Sequence, residues 1–171
     1  MPDALIEVNS KEIIDLLHAK ERATADAMKG EAERVKREML TDFRITTASW
    51  AHQVDFQGLV DSYADGSFTV LVGTDDPIYG YVNSGTRPHT IVPVRAKALR
   101  FQWGGKGSYM AKTTPGVIGA HSGGSSGPIV YRQGVHHPGT KARGFVNLIR
   151  NKAWSAAIQR ITRKLIDAWG K

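Results

Sequence analysis

No cysteine occurs in the 171 residues, and this absence removes several kinds of stabilisation and chemistry. The chain has no disulfide framework, no cysteine-based zinc site and no thiol nucleophile. It therefore fits a reducing compartment, or a particle that is assembled in one. The first ten residues contain neither a basic region nor a long apolar run, and no stretch approaches the roughly 18 to 20 apolar residues of a membrane span. We expect no secretory signal and no membrane helix.

Acidic residues are almost absent from the second half of the chain. Residues 1–76 contain 8 Lys and Arg against 15 Asp and Glu, whereas residues 77–171 contain 15 Lys and Arg and a single acid, Asp167. The basic half is a solvated surface, a face for nucleic acid, or a surface that meets the acidic half of a neighbouring copy head to tail. The lack of carboxylates from residue 77 to 166 argues against hydrolase chemistry there, because such chemistry commonly uses paired carboxylates.

Apolar residues at helical spacing predict a long helix near each end of the chain. The first runs from Ser10, a residue type that caps helices, to Phe43, with Gly30 as a weak point and a candidate bend. Its apolar stripes are Ile13, Ile14 and Leu17, then Met28, Ala32, Val35, Met39 and Phe43. The second helix covers residues 144–169. Its apolar ridge comprises Phe145, Ile149, Ala153, Ala157, Ile161, Leu165 and Trp169, widened by Val146, Trp154 and Ile158.

Between the helices, residues 54–102 are predicted to form short strands and hairpins. The β-prone segments Leu59–Tyr63 and Ser67–Gly73 flank Asp65-Gly66, which is a hairpin turn signal. Asp75-Asp76-Pro77 next breaks the chain, and this pair of acids indicates a turn more than a metal ligand or a general base. Two further features follow: Ile78–Val82 as a strand or one helical turn, and Ile91–Val94 with Leu99–Gln102 as a second hairpin.

Residues 104–127 contain eight glycines among 24 residues, a composition that cannot build a core. We predict a flexible Gly-rich surface loop or β-arm that becomes ordered on assembly, followed by a strand at residues 129–135. The whole chain, residues 1–171, is then one α+β domain. It has a small, mainly antiparallel sheet, a long N-terminal helix, a long C-terminal helix and one long Gly-rich loop.

Each candidate catalytic motif in the sequence lacks a residue that its chemistry requires. The segment Gly105-Lys106-Gly107-Ser108 lacks the earlier glycine and the hydroxyl residue of a phosphate-binding P-loop. A site of His89, His136 and His137 could bind zinc or another metal, but no nearby carboxylate completes it. The alternative is that these imidazoles hydrogen-bond to backbone in two proline-containing turns. A metal nuclease built on His136, His137 and Asn147 lacks a supporting histidine on the following helix.

Two segments of the basic half share one pattern. Tyr81–Phe101 contains Gly85-Thr86-Arg87, and His136–Phe145 contains Gly139-Thr140-Lys141. Each also has a histidine beside a proline, and neither contains an acid. We expect the two Gly-Thr turns to lie close together and to form one basic surface that contacts another subunit or DNA. Its candidate residues are Arg87, His89, Arg95, Lys97, Arg100, His136, His137, Lys141 and Arg143.

The double pattern also resembles a known family. With Ala96-Lys97-Ala98-Leu99-Arg100-Phe101 after the first turn and Ala142-Arg143 after the second, it is similar to the tail-component and tail-completion (neck) proteins of long-tailed bacteriophages. These are similar in role to lambda minor tail protein Z. The resemblance covers both blocks in the family's order, and it implies a small mixed sheet with a long helix packed on it.

The resemblance implies a structural virion protein of the neck or upper tail and not an enzyme, with no cofactor. Its partners would be copies of itself in a ring of six-fold related subunits, other neck and tail proteins, and genomic DNA in the lumen, without a membrane. It would be made in the host cytoplasm and end in the virion. A stand-alone basic nucleic-acid-binding protein is the alternative.

Overall fold

The computed structural model describes residues 10–64 and 66–169, and within them the chain forms an α+β fold. Three helices and four two-stranded antiparallel ribbons make up this part of the protein. The helices are α1 (Ser10–Thr47), α2 (Pro77–Ser84) and α3 (Phe145–Trp169). The strands are β1 (Gln57–Ser62), β2 (Phe68–Gly73), β3 (His89–Ile91), β4 (Leu99–Gln102), β5 (Tyr109–Met110), β6 (Gly124–Ser125), β7 (Ile129–Arg132) and β8 (Val135–His137). The predicted fold class is confirmed.

The two long helices pack against each other and supply most of the core. Helix α1 continues through Gly30 and ends four residues beyond the predicted Phe43, while the expected cap by the Ser10 side chain lies outside the described residues. Buried residues recur at helical spacing only where the two helices meet. They are Ala32, Val35 and Phe43 on α1, and Phe145, Ile149, Ala153 and Ala157 on α3. The predicted stripe of Ile13, Ile14 and Leu17 is exposed, and so are Leu165 and Trp169 at the end of the predicted α3 ridge.

The buried face of α3 is narrower than the sequence predicts. Val146, Trp154 and Ile158 were expected to widen it, but their side chains are 43%, 68% and 45% exposed. The reason is that α3 meets α1 along a single ridge, so residues one step around the helix face outward. None of the described helices is both long and apolar enough to cross a membrane.

Ion pairs also join α1 to α3. Glu31, which is 1% exposed, lies 2.5 Å from Arg160 Nε and 3.4 Å from Lys164 Nζ. Asp42 pairs with Lys152 at 2.8 Å. Some acids of the first half therefore pair with bases of the second half within one chain.

Tyr79 of α2 occupies the centre of the larger core cluster. Its ring lies 5.0 Å from Phe56, 6.0 Å from both Phe43 and Phe145, and 6.1 Å from Trp50, measured between centroids. Burial raises the pKa of Tyr79 to about 12. The segment predicted as a strand or a helical turn is thus a two-turn helix, held in place by aromatic packing.

The first hairpin forms as predicted and covers α1. Strands β1 and β2 pair from Gln57↔Gly73 to Ser62↔Phe68, although Asp65 of the expected turn lies outside the described residues. Val70 and Val72 pack against the core clusters. Side chains alternate along a strand, so the opposite face of this hairpin is turned outward.

The second predicted hairpin is wrong. Strand β3 pairs with β8 and strand β4 pairs with β7, so the two segments are successive parts of one strand and do not face each other. The physical reason is visible in the sequence: Arg95-Ala96-Lys97 contains no glycine, asparagine or aspartate to adopt a tight hairpin turn. The loop at residues 92–98 is instead a bulge.

The segments from Thr86 to Thr140 form one interrupted antiparallel ribbon, which we call the arm. It proceeds outward through β3–β8, β4–β7 and β5–β6, so the predicted Gly-rich loop is its outer part and the strand predicted at residues 129–135 is β7 with the start of β8. Its tip returns to the domain: Lys112 Nζ donates to Ser49 O at 2.8 Å, and Ile118 packs on the core.

Replacement of Phe145 tests the position of the core. We expect Phe145→Ala to lower the free energy of unfolding by about 3–5 kcal/mol, because it leaves a cavity between α3 and Tyr79. Urea unfolding measures the loss. The neighbouring Val146→Ala is the control and should cost about 0.5 kcal/mol or less. Equal losses in the two variants would contradict this packing.

Candidate functional site

The two Gly-Thr turns lie side by side at the base of the arm. Thr86 N donates to Thr140 O at 3.0 Å, and Thr140 N donates to Thr86 O at 3.1 Å. The two hydroxyl oxygens, Oγ1 of each threonine, are also 3.0 Å apart. The prediction that the turns are adjacent, although 54 residues separate them, is therefore confirmed.

Glycine is required at both turns because the backbones touch. Gly85 has φ 75° and Gly139 has φ 84°, a region that other residues rarely adopt. A Cβ added to Gly85 would lie 2.6 Å from Thr140 O, and one added to Gly139 would collide with Thr86 O. The glycine and the threonine of each pattern thus have one shared role, which is close pairing of two chain segments.

Asn83 connects this base to α3, a role that no local sequence pattern indicates. Its backbone oxygen accepts from Arg143 N at 3.1 Å and from Gly144 N at 3.0 Å. Its side-chain Oδ1 accepts from Val146 N at 3.1 Å, which satisfies a free amide in the first turn of α3. Sequence reasoning finds caps only next to the helix they serve, and this one is 63 residues away.

Arg143 is a structural residue and not a free cation of the predicted surface. Its Nε donates to Thr113 Oγ1 at 3.0 Å, and its terminal nitrogen donates to Lys141 O at 2.7 Å. Its carbonyl oxygen accepts from Gly116 N at 3.1 Å. These bonds fasten the tip of the arm to its base, so the guanidinium is already occupied by this chain.

The three histidines do not converge. His89 and His137 face each other across the ribbon with ring centroids 5.1 Å apart, but His136 is paired with Thr90 on the other face. His89 Nδ1 bonds to Arg87 O at 2.8 Å, and His137 Nδ1 accepts from Gly139 N at 3.1 Å. Two of them thus make the predicted backbone bonds. Residues 10–64 and 66–169 contain no group of three or more metal-binding side chains.

The remaining predicted cations are exposed along the arm and directly after it. Within the described residues, they form no ion pair with any acid. These residues are Arg87, Arg95, Lys97, Arg100 and Lys141. Large apolar side chains are exposed among them: Val92, Val94, Trp103, Tyr109, Met110, Ile129 and Tyr131. The arm therefore presents a surface that is both basic and apolar, and hydrogen bonds join its base to α3.

At the N-terminus of α2, Asp76 contacts an imidazole. From sequence, the segment Asp75-Asp76-Pro77 was predicted only to form a turn. Asp76 Oδ2 lies 2.5 Å from His52 Nε2, and Asp76 Oδ1 accepts from Tyr79 N at 2.8 Å as the N-cap of α2. The bond from His52 and the cap bond hold the pKa of Asp76 below its ordinary value of 3.8. The Asp-Pro pair is a helix-start signal that could have identified this cap.

Comparison with protein-family models, with curated proteins and with solved structures finds no match to this chain.

Replacement of Gly139 tests the paired turns. We expect Gly139→Ala to open the base of the arm, seen as faster hydrogen exchange at the amides of Thr86 and Thr140. Gly116→Ala is the matched control, because its φ of 77° imposes similar backbone strain, but no atom lies within 4 Å of the added Cβ. If both variants leave exchange at the two amides unchanged, the close approach is not essential.

Acid titration tests the Asp76 contact. A carboxyl group with a depressed pKa contributes stability that is present above its unfolded pKa and is lost as pH falls through its lower folded pKa. The free energy of unfolding should therefore fall between about pH 5 and pH 2, and Asp76→Asn should flatten this dependence while keeping a competent cap. An unchanged slope in Asp76→Asn would contradict this contact.

Proposed function

We propose that this protein is a structural component of a bacteriophage neck or upper tail, where it completes the tail or joins it to the head. In this proposal its copies form a homo-oligomeric ring around the DNA passage, in contact with other neck and tail proteins. It is made in the host cytoplasm and remains in the virion. In this proposal the protein acts by binding its neighbours in a fixed arrangement, without catalysis and without a cofactor.

The observation that carries the proposal is the exposed, acid-free arm. A two-stranded ribbon is only marginally stable by itself in water, and it becomes stable when it packs against another surface. Among the described residues, this arm has its main strand contacts along its own length, is bonded to the domain at its base and tip, and exposes several large apolar residues. Such a surface favours burial against a neighbouring protein.

The resemblance of the two Gly-Thr segments to tail-completion proteins supports the same proposal. Their pairing at the base of the arm shows a physical need for these glycines and threonines, because they position the ribbon relative to α3. A contact between unlike surfaces of identical copies is heterologous, and it closes into a ring when the rotation between copies is suitable. Cations that remain outside such contacts are free to face DNA in the lumen.

A stand-alone nucleic-acid-binding protein is the second candidate, favoured by the unpaired cations of the arm. It accounts for Arg87, Arg95 and Lys97 by contact with phosphates. Base stacking could also use the exposed rings of Trp103, Tyr109 and Tyr131, but neither stacking nor phosphate contact accounts for the exposed aliphatic residues Val92 and Val94. The ring accounts for both features.

Light scattering with and without linear DNA separates the two candidates. We expect the wild-type protein to form discrete oligomers as its concentration rises, and to bind DNA weakly as an isolated subunit. The alternative predicts tight DNA binding by a monomer, with affinity falling steeply between low and physiological salt. A strict monomer that binds DNA tightly would contradict the ring.

A further inference from the structure

The bulge of the arm is the most exposed apolar feature of the described chain. Residues 92–98 bulge from the ribbon because seven residues stand opposite only two, Gln133 and Gly134, between the β3–β8 and β4–β7 pairs. At its centre Val94 is 92% exposed, and Arg95 and Lys97 lie exposed beside it. It is an apolar knob flanked by two cations.

The β1–β2 hairpin has a groove with the complementary character. Leu59 and Leu71 stand directly opposite each other in the register and are 54% and 53% exposed. They line an open groove whose other lining residues include Asp55 and Asp75, both exposed. Neither aspartate forms an ion pair within the described residues.

The charges of the two features are strictly separated along the chain. Between Arg44 and Arg87 the sequence contains five aspartates and no lysine or arginine. From residue 77 to 166 it contains no acid. The groove and the bulge therefore carry opposite charge around an apolar centre. At an interface, such complementary charges attract the two surfaces and fix their relative position.

The bulge does not fill the groove of its own chain. A side chain that is 92% exposed has no partner over it, and Leu59 and Leu71 are each more than half uncovered. The tip of the arm is meanwhile fixed elsewhere, on Ser49 and Arg143. The complementary surface must be supplied by another molecule, and a second copy of this chain carries it.

We propose that residues 92–98 of one copy insert into the β1–β2 groove of the next copy. Val94 packs on the adjacent side chains of Leu59 and Leu71, while Arg95 and Lys97 pair with Asp55 and Asp75 of that copy. The contact is heterologous, because each copy uses its bulge on one side and its groove on the other. This inference rests on the proposed self-assembly and identifies the surfaces that carry it.

Two variants that each destroy one surface test the contact. Val94→Asp removes the knob, and Leu71→Lys gives the groove a cation opposed to the bulge. Both positions are exposed, so the fold should be retained, which circular dichroism checks. We expect each variant alone to associate at least about tenfold more weakly than the wild type, a change of about 1.4 kcal/mol. Val117→Asp, at another exposed valine of the arm, should associate like the wild type.

Mixing the two variants gives the decisive result. The mixture retains one intact junction, formed by the bulge of the Leu71→Lys chain and the groove of the Val94→Asp chain. Native mass spectrometry should therefore show heterodimers and no larger species, which a contact using the same patch on both copies would not produce. Folded variants that stay monomeric in the mixture would overturn the proposal.

Cysteine cross-linking locates the contact independently. The chain has no native cysteine, so Val94→Cys and Leu71→Cys proteins should form a disulfide-linked heterodimer when mixed under oxidising conditions. Val117→Cys mixed with Leu71→Cys should not. If the wild type assembles but neither test responds, this contact is wrong and the ring proposal stands. If the wild type remains a monomer that binds DNA tightly, the ring proposal itself fails.

Discussion

The structure depends on the enclosure of Tyr79 by four aromatic rings. This packing holds the short helix α2 against α1 and α3, although α2 has only eight residues and would not be stable alone. Asp76 caps the helix at one end, and Gly85 follows it at the other. The position of the first Gly-Thr turn, and so of the arm, is set by how α2 is anchored.

From that anchor, local hydrogen bonds organise the rest of the basic half. Asn83 accepts from three amides at the start of α3, and the Thr86–Thr140 pair closes the base of the arm. Arg143 then binds the returning tip. These contacts are polar and lie next to a small aromatic core. They fix the ribbon at its base and at its tip, while several of its large apolar side chains stay exposed.

Some charged residues stabilise the fold, and others are exposed and available for association. Glu31 is buried, and removal of its partners would leave an uncompensated charge, so its pairs with Arg160 and Lys164 belong to the fold. The aspartates of the β1–β2 groove and the cations of the bulge make no such pairs among the described residues. Surface pairs contribute little to stability within a chain, but across an interface they direct which surfaces meet.

The sequence alone determined the features that depend on short-range patterns. Helical spacing predicted both long helices, with the buried residues of α3 from Phe145 to Ala157, and the β-prone segments on either side of Asp65-Gly66 predicted the first hairpin. The paired Gly-Thr patterns predicted that Thr86 and Thr140 are adjacent. The proposed contact surface stays a prediction: its residues Arg87, Arg95, Lys97, Arg100 and Lys141 are exposed, whereas Arg143 is bonded within the chain.

Only the tertiary structure decided the features that depend on distant partners. The pairing of β3 with β8 and β4 with β7, the cap that Asn83 provides to α3, and the return of the arm tip to Arg143 all join residues that no local period connects. The outward position of Trp154 is likewise set by how α1 lies on α3. Hydrophobic periodicity specifies which residues avoid water, but the partner that covers them is selected by packing of the whole chain.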